Sequence, residues 1–367
     1  MTGMKYVDDF RDPALARVLV EQIHREAARP IRVMEFCGGH THAIFRFGLR
    51  ELLAGAVELR SGPGCPVCVT AATDLDHAIA LADAPGVLLA TFGDMMRVPG
   101  SRGDLQSARA RGADVRIVYS PADAVTLARE NPQREVIFLG VGFETTASGI
   151  AAALLQAEAE CIPNFSMLSL HKLTPPATRA ILDAGQIALD GILGPGHVSA
   201  IIGSAAWEFL PRDYGMPVAV SGFEPLDLLS AIAALVRAVA RGEPAVINTY
   251  ARSVKSQGNP VAQNLLARVF EVGAAEWRGF GRIPASGLNL RAEFSHRDAA
   301  RCFSTPRLPA YDPPGCRCGD VLRGVIEPPA CALYGRVCTP RNPLGPCMVS
   351  AEGACAAYYH YGEALPG

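Results

Sequence analysis

The chain has 367 residues, 49% hydrophobic and 19% charged, which supplies enough apolar surface for real cores and excludes general disorder. Lys plus Arg number 34 against 36 Asp plus Glu, and no basic run is present that would neutralise a phosphate backbone, so nucleic acid is not an expected partner. At roughly 100–200 residues per domain, two or three domains are expected.

The opening stretch MTGMKYVDDFRDPALARVLV has acidic residues where a signal peptide is basic, and no segment reaches the ~18–20 apolar residues of a membrane span. A soluble cytoplasmic protein with no membrane partner is expected. In that compartment eleven cysteines do not read as a disulfide framework; metal binding and thiol redox chemistry remain.

Residues 13–28 carry apolar residues at helical spacing, and IRVMEF (31–36) reads as a short strand running into Gly38-Gly39, which places Cys37 at a strand's carboxyl end. The pattern recurs in VLLATF (87–92), VRIVYS (115–120) and EVIFLGVGF (135–143), with helical stretches at 74–83, 104–111, 121–130 and 147–160. This alternation predicts βαβ units on a parallel sheet. It restarts with NFSMLSL (164–170), a helix near 175–189, DGILG (190–194), a helix near 199–209 and MPVAVSGF (216–223). Two loop pairs, GPGCPV (62–67) with GPGHVS (194–199) and GFETT (142–146) with GFEPL (222–226), hint at a repeat. Residues 225–241 form an apolar helix opened by proline, and 259–272 another.

From about residue 280 the composition shifts to Pro, Gly and Cys with little periodicity, so something other than a large core must hold that tail. The expected architecture is α/β: two parallel-sheet domains at 30–146 and 147–224, plus a partly helical iron–sulfur-binding domain from 1–29 and 225–367.

Seven cysteines (Cys302, Cys316, Cys318, Cys331, Cys338, Cys347, Cys355) lie within 54 residues of that tail. Four-cysteine zinc sites usually come as two close CxxC knuckles, and the tail has no CxxC. An iron–sulfur cluster accepts wider spacing because each thiolate binds a different iron corner.

A second constellation begins at MEFCGGHTHAI (34–44), where Cys37 is followed by His40 and His42 on what reads as an open glycine loop. A thiolate and an imidazole three residues apart ligate a soft metal or activate the thiol; the plain alternative is a buried cysteine with histidines satisfying local hydrogen bonds. SGPGCPVCVT (61–70) holds a CxxC in Cys65 and Cys68, which reads as a reversible disulfide or as half of a zinc knuckle. His171, Lys172 and His197 fall at strand ends, either facing the same cleft as Cys37 or as loop residues. Asp94 and Glu144 read as proton-transfer groups or as helix caps, and the glycines at 93, 140 and 142 make no dinucleotide fingerprint.

Together MEFCGGHTHAI, SGPGCPVCVT, TFGDMMRVPGS (91–101), GVGFETT (140–146), SLHKLTPP (169–176), GPGHVSAIIG (194–203), SGFEPLDLL (221–229) and the cysteine-rich end resemble the HypD family of hydrogenase-maturation, iron–cyanide assembly proteins, over about residues 30–362. The family's C-x14-C-x6-C-x16-C motif falls on Cys316, Cys331, Cys338 and Cys355, which the resemblance makes ligands of a [4Fe–4S] cluster. It leaves Cys318 and Cys347 as a redox pair beside the cluster, similar to ferredoxin–thioredoxin reductase, or else as two buried free thiols. It also implies that the chain holds the iron that becomes the Fe(CN)2CO moiety of [NiFe]-hydrogenases, with a HypC-type chaperone and a HypE-type cyanide-delivering protein as partners.

On this reading Cys37 ligates the iron with His40 nearby, and Cys65 and Cys68 exchange electrons there, recharged from the cluster through Cys318 and Cys347. Glu352 in MVSAEGAC matches a further family motif, whereas Cys161 and Cys302 match none and are expected to be ordinary buried cysteines. A general thiol–disulfide oxidoreductase fed by its cluster, and a non-catalytic interaction platform, are the alternatives.

Overall fold

The computed structural model describes residues 8–305 and 310–362. Among the described residues eleven strands follow one another: β1 (Ile31–Glu35), β2 (Val57–Ser61), β3 (Val87–Thr91), β4 (Asp114–Ile117), β5 (Glu135–Gly140), β6 (Phe165–Ser169), β7 (Gly191–Pro195), β8 (Val218–Ser221), β9 (Val246–Asn248), β10 (Phe270–Trp277) and β11 (Gly281–Leu290). They form two parallel sheets, ordered β2-β1-β7-β8-β9 and β4-β3-β5-β6, and one antiparallel hairpin, β10-β11. The fold is α/β, as the alternation predicted.

The sequential boundary at 146 does not match the strand pairing. β1 pairs with β2 on one side and β7 on the other, so the chain lays down two strands, leaves to build the whole second sheet, and returns to finish the first. Local periodicity cannot reveal this, because partner choice between parallel strands is settled by side chains far apart in sequence.

Helices cover both faces of each sheet, which is why the strands read as continuous apolar runs. On one face of the first sheet Ile31, Val33 and Leu59 meet the helices Pro13–Glu26 and Pro225–Arg241. Both helices start on a proline, whose missing N–H would be unpaired there anyway; Asp12 caps the first, and Gly242 ends the second in the left-handed region. On the opposite face Met34, Phe36 and Val220 share a core with Cys65, Cys68, Trp277, Cys318 and Cys347.

The second sheet packs Leu88, Ala90 and Phe138 against helices Pro121–Glu130 and Glu144–Ala159, with Leu89, Ile137 and Leu139 on its other face. The hairpin, which no sequence pattern announced, ties these units together. Lys172 bridges to Gly287, Thr70 bridges to Trp277, and the Arg278 N–H donates to Val69 O at 2.9 Å. The 259–272 helix of the sequence reading is Pro260–Val269, and strand β10 begins directly after it.

Beyond residue 310 the described chain is a series of short pieces, the longest a helix at Ala354–Tyr361. No described helix is long and apolar enough to cross a membrane.

Candidate functional site

Because the first sheet is parallel, the loops after β1, β2, β7 and β8 leave from one edge, where open α/β sheets bind ligands. Those loops carry Cys37, Gly62–Cys65, Gly196-His197 and Gly222-Phe223.

Cys37 is not on an open loop. Gly38 and Gly39 begin a helix, Gly38–Arg46, and Cys37 is its N-cap in extended conformation. The glycines serve close approach: a Cβ on Gly38 would fall 2.5 Å from Glu352 Cβ, and one on Gly64 would fall 2.3 Å from Cys37 N. The N–H of Gly38 donates to Gly64 O at 2.9 Å, so the CxxC loop lies directly against Cys37.

Burial, with Glu352 and Glu35 nearby, pushes the Cys37 thiol up to about 12, against the N–H groups of Gly39 and His40 that favour its thiolate. Glu35 was not singled out from sequence. Its carboxyl is buried, accepts the Cys37 N–H at 2.9 Å and the Thr41 hydroxyl, and burial raises it to about 8. A glutamate directly after the apolar pair Val33-Met34, two residues before the cysteine, was the available signal.

His40 is fully buried on the first helical turn; its Nε2 lies 3.3 Å from Ser221 O, and its Nδ1 has no hydrogen-bond partner. Burial holds the ring down to about 4, so it is neutral. Phe223 sits 4.8 Å from the His40 ring and stacks at 4.0 Å on exposed His197, which brings His197 to the same edge.

Cys65 caps the short helix Pro66–Val69, and a disulfide joins it to Cys68 (Cα–Cα 5.2 Å). Both are buried, so this pair too is enclosed and not displayed on an exposed loop. Cys68 Sγ lies 3.8 Å from Pro346 O, one peptide away from Cys347. Cys347 and Cys318 are buried and hydrogen-bonded to each other; that bond, with Arg278 nearby, holds the Cys318 thiol down and drives Cys347 up. Arg278, also not foreseen, is buried and donates to Thr70 O, Pro99 O and Asp312.

Cys316, Cys331, Cys338 and Cys355 line one cavity together with Cys318 and Cys347, walled by Leu333, Tyr334 and Met348. Burial pushes Cys316 up to about 12 and raises Cys338. Among the described residues no three His, Cys, Asp or Glu side chains converge closely enough to hold a single metal ion. The four thiols thus share a cavity without closing on a point, a donor set suited to a group that spans the space.

The remaining sequence candidates separate. Exposed Glu352 packs on Gly38 beside Cys37, and the ring of His42 contacts Tyr361 OH at 3.0 Å. Asp94 is exposed on a 3-10 turn. His171 and Lys172 lie at the second sheet, not beside Cys37: His171 Nδ1 meets Ser169 Oγ at 2.9 Å, and Lys172 Nζ donates to Glu276 O at 2.7 Å. Cys161 and Cys302, expected to be buried, are exposed.

Glu144 opens its helix fully enclosed, accepting the Thr174 N–H at 2.8 Å, and burial raises it to about 7. A folded-state carboxyl raised above its unfolded value of 4.5 contributes stability that is lost as pH climbs from there to about 7. Glu144→Gln, which keeps an acceptor for Thr174, is expected to lose less stability than the parent between about pH 5 and about pH 8, measured as urea midpoints; an equal loss would refute the assignment.

The profile described as "Hydrogenase formation hypA family" (HypD) matches residues 14–362. The chain is 48% identical over 373 residues to the "Hydrogenase maturation factor HypD" of Rhodobacter capsulatus, covering 98% of this chain and 99% of that one. It is 50% identical over 369 residues to the "Hydrogenase expression/formation protein HupD" of Azotobacter chroococcum mcd 1 (98% and 97% covered), and 46% identical over 366 to the HypD factor of Escherichia coli K12 (98% of both). With a match across nearly its whole length and identities close to one half, the chain belongs to the HypD family of hydrogenase maturation factors.

Proposed function

We propose that this chain is the scaffold on which a hydrogenase's iron acquires its cyanide and carbon monoxide ligands, with the iron, as substrate, held by Cys37. The observation that carries the reading is the junction at Cys37. One cysteine at the carboxyl edge of a parallel sheet has its backbone against Gly64 of the Cys65–Cys68 loop, is followed by Gly38, which packs on Glu352 of the cysteine-rich tail, and caps the helical turn that carries a buried imidazole with an unpaired nitrogen. Low-spin iron with such ligands suits soft thiolate donors. Since the environment of Cys37 keeps its thiol protonated, metal capture there releases a proton.

Cys316, Cys331, Cys338 and Cys355 would hold a [4Fe–4S] cluster, and such a cluster, when bound, supplies single electrons to a neighbouring thiol pair. Cys65 and Cys68 interconvert between disulfide and dithiol, taking up or releasing two electrons and two protons. Cys318 and Cys347 form a second pair on the other side of the Pro346 peptide, their mutual hydrogen bond holding the Cys318 thiol down and driving Cys347 up. A HypC-type chaperone and a HypE-type cyanide donor are the proposed partners.

The test is an infrared spectrum of the anaerobically purified protein with its small chaperone, in the region of metal-bound cyanide and carbon monoxide. Bands are expected in the parent and none in Cys37→Ala. Their absence from the parent, with intact cluster absorption and disulfide reductase activity, would favour a thiol–disulfide oxidoreductase.

A further inference from the structure

We propose that the cavity between the carboxyl end of β6 and the hairpin β10-β11 binds a small amino acid in its zwitterionic form, with Lys172 receiving the carboxylate and His171 Nε2 the ammonium. The site is separate from Cys37 and does not depend on the scaffold reading. The cavity measures about 220 Å3. At about 30 Å3 per water that is the space of about seven waters, enough for glycine, alanine or serine. It lies at the carboxyl edge of the second parallel sheet, the edge at which open α/β sheets bind ligands.

Hydrogen bonding fixes the state of His171. The Ser169 hydroxyl gives its one hydrogen to Leu288 O at 2.7 Å, so it accepts from His171 Nδ1 at 2.9 Å. Nδ1 therefore carries the proton of the ring, and the lone pair of Nε2 is left buried with no donor facing it. Buried acceptors of that kind are rare in folded proteins unless something fills them. Burial, with Lys172 adjacent, holds the ring down to about 3, so it stays neutral and an acceptor at physiological pH.

Lys172 is the complementary group. Its ammonium is almost fully buried, donates to Glu276 O at 2.7 Å and faces the Asp74 carboxylate at 3.6 Å, which leaves one of its three N–H bonds for a further acceptor. The charges at the cavity are balanced: Lys172 pairs with Asp74, Asp298 with Arg301, and Glu276 stands opposite Arg282 in the hairpin ladder. A ligand of net charge would stand uncompensated among them, whereas a zwitterion brings one charge of each sign to a cation and an acceptor placed to receive them.

Isothermal titration of the full chain with glycine, alanine and serine is the test, with acetate, methylammonium and acetamide as probes that carry one charged end or none. Submillimolar binding of at least one amino acid is expected, with each of the other probes weaker by about tenfold or more, the worth of one charge-assisted hydrogen bond. His171→Asn keeps an amide N–H for Ser169 Oγ and removes the Nε2 acceptor, and Lys172→Met keeps the stem and removes the charge. Asn289→Trp, at an exposed position on the cavity rim, fills the mouth without touching the core.

All three variants are expected to lose about tenfold or more in affinity, with circular dichroism reporting folding. Failure of all three amino acids to bind the parent at millimolar concentration would mean a solvent-filled cavity and overturn the proposal. So would acetate, methylammonium or acetamide binding as tightly as the best amino acid, or parent-like affinity in any variant that folds.

Discussion

Cys338→Ala is expected to release the whole tail from about residue 310, with trypsin cutting at Arg317, Arg323, Arg336 and Arg341 while the two sheets remain resistant. The described tail has little of its own to hold it: short helical turns, and a small core of Tyr334, Cys338, Met348 and Ala356. Cys338 belongs both to that core and to the four-thiol cavity, and its sulfur accepts the Leu344 N–H at 3.4 Å. Where metal ligation substitutes for a core, the ligation energy is folding energy, on the order of 10 kcal/mol in small zinc domains. On the proposed cluster reading, loss of one of its four thiols therefore outweighs the few contacts that remain. Limited proteolysis read by mass spectrometry checks this, with exposed Cys302→Ala as a variant that cuts like the parent. A protease-resistant Cys338→Ala would mean that packing alone holds the tail.

Trp277→Ala is expected to destabilise the protein by about 3–5 kcal/mol and also to raise the alkylation rate of Cys65 and Cys68 after mild reduction. Trp277 is almost fully buried in the core that contains both cysteines and the Cys318–Cys347 pair. Its indole N–H donates to Ser286 Oγ at 2.8 Å, Phe143 stacks on it at 6.1 Å, and the Lys172 ammonium lies 5.7 Å from its ring centre. It also bridges to Thr70, just past Cys68, so its loss removes the wall behind the CxxC helix. Trp207→Ala is the contrast: equally buried and bonded to Ser199 Oγ at 2.9 Å, Trp207 touches neither thiol pair through such a bridge. It should cost comparable stability with no change in thiol reactivity. Urea unfolding and timed alkylation separate the two, and equal alkylation rates in both variants would mean that the hairpin does not enclose the Cys65–Cys68 pair.

The helix Pro225–Arg241 was legible to the residue, because an apolar face, a proline at its first position and a glycine after its last are local signals. Helix Gly38–Arg46 reads as a loop in the sequence because paired glycines punctuate chains; here they occupy the first turn, where the N–H groups of Gly39 and His40 face the Cys37 sulfur and the glycines' missing side chains admit Glu352 and Phe223. Sequence supplied Cys37, His40, Cys65 and Cys68 as chemistry-bearing residues, and it could not show that Glu35 pins the Cys37 amide or that Arg278 ties three segments beside Cys318.

The amino-acid sequence by itself determined the α/β alternation, the cysteine spacing of the tail and the loops that carry the reactive groups, because each depends on residues within one turn or one strand. Only the tertiary structure decided that the chain returns from the second sheet to complete the first, that the hairpin β10-β11 joins both to the tail, and that Cys161 and Cys302 face solvent. Those outcomes are set by burial and partner choice between segments as many as a hundred or more residues apart, such as β1 and β7, and neither periodicity nor motif spacing carries that information.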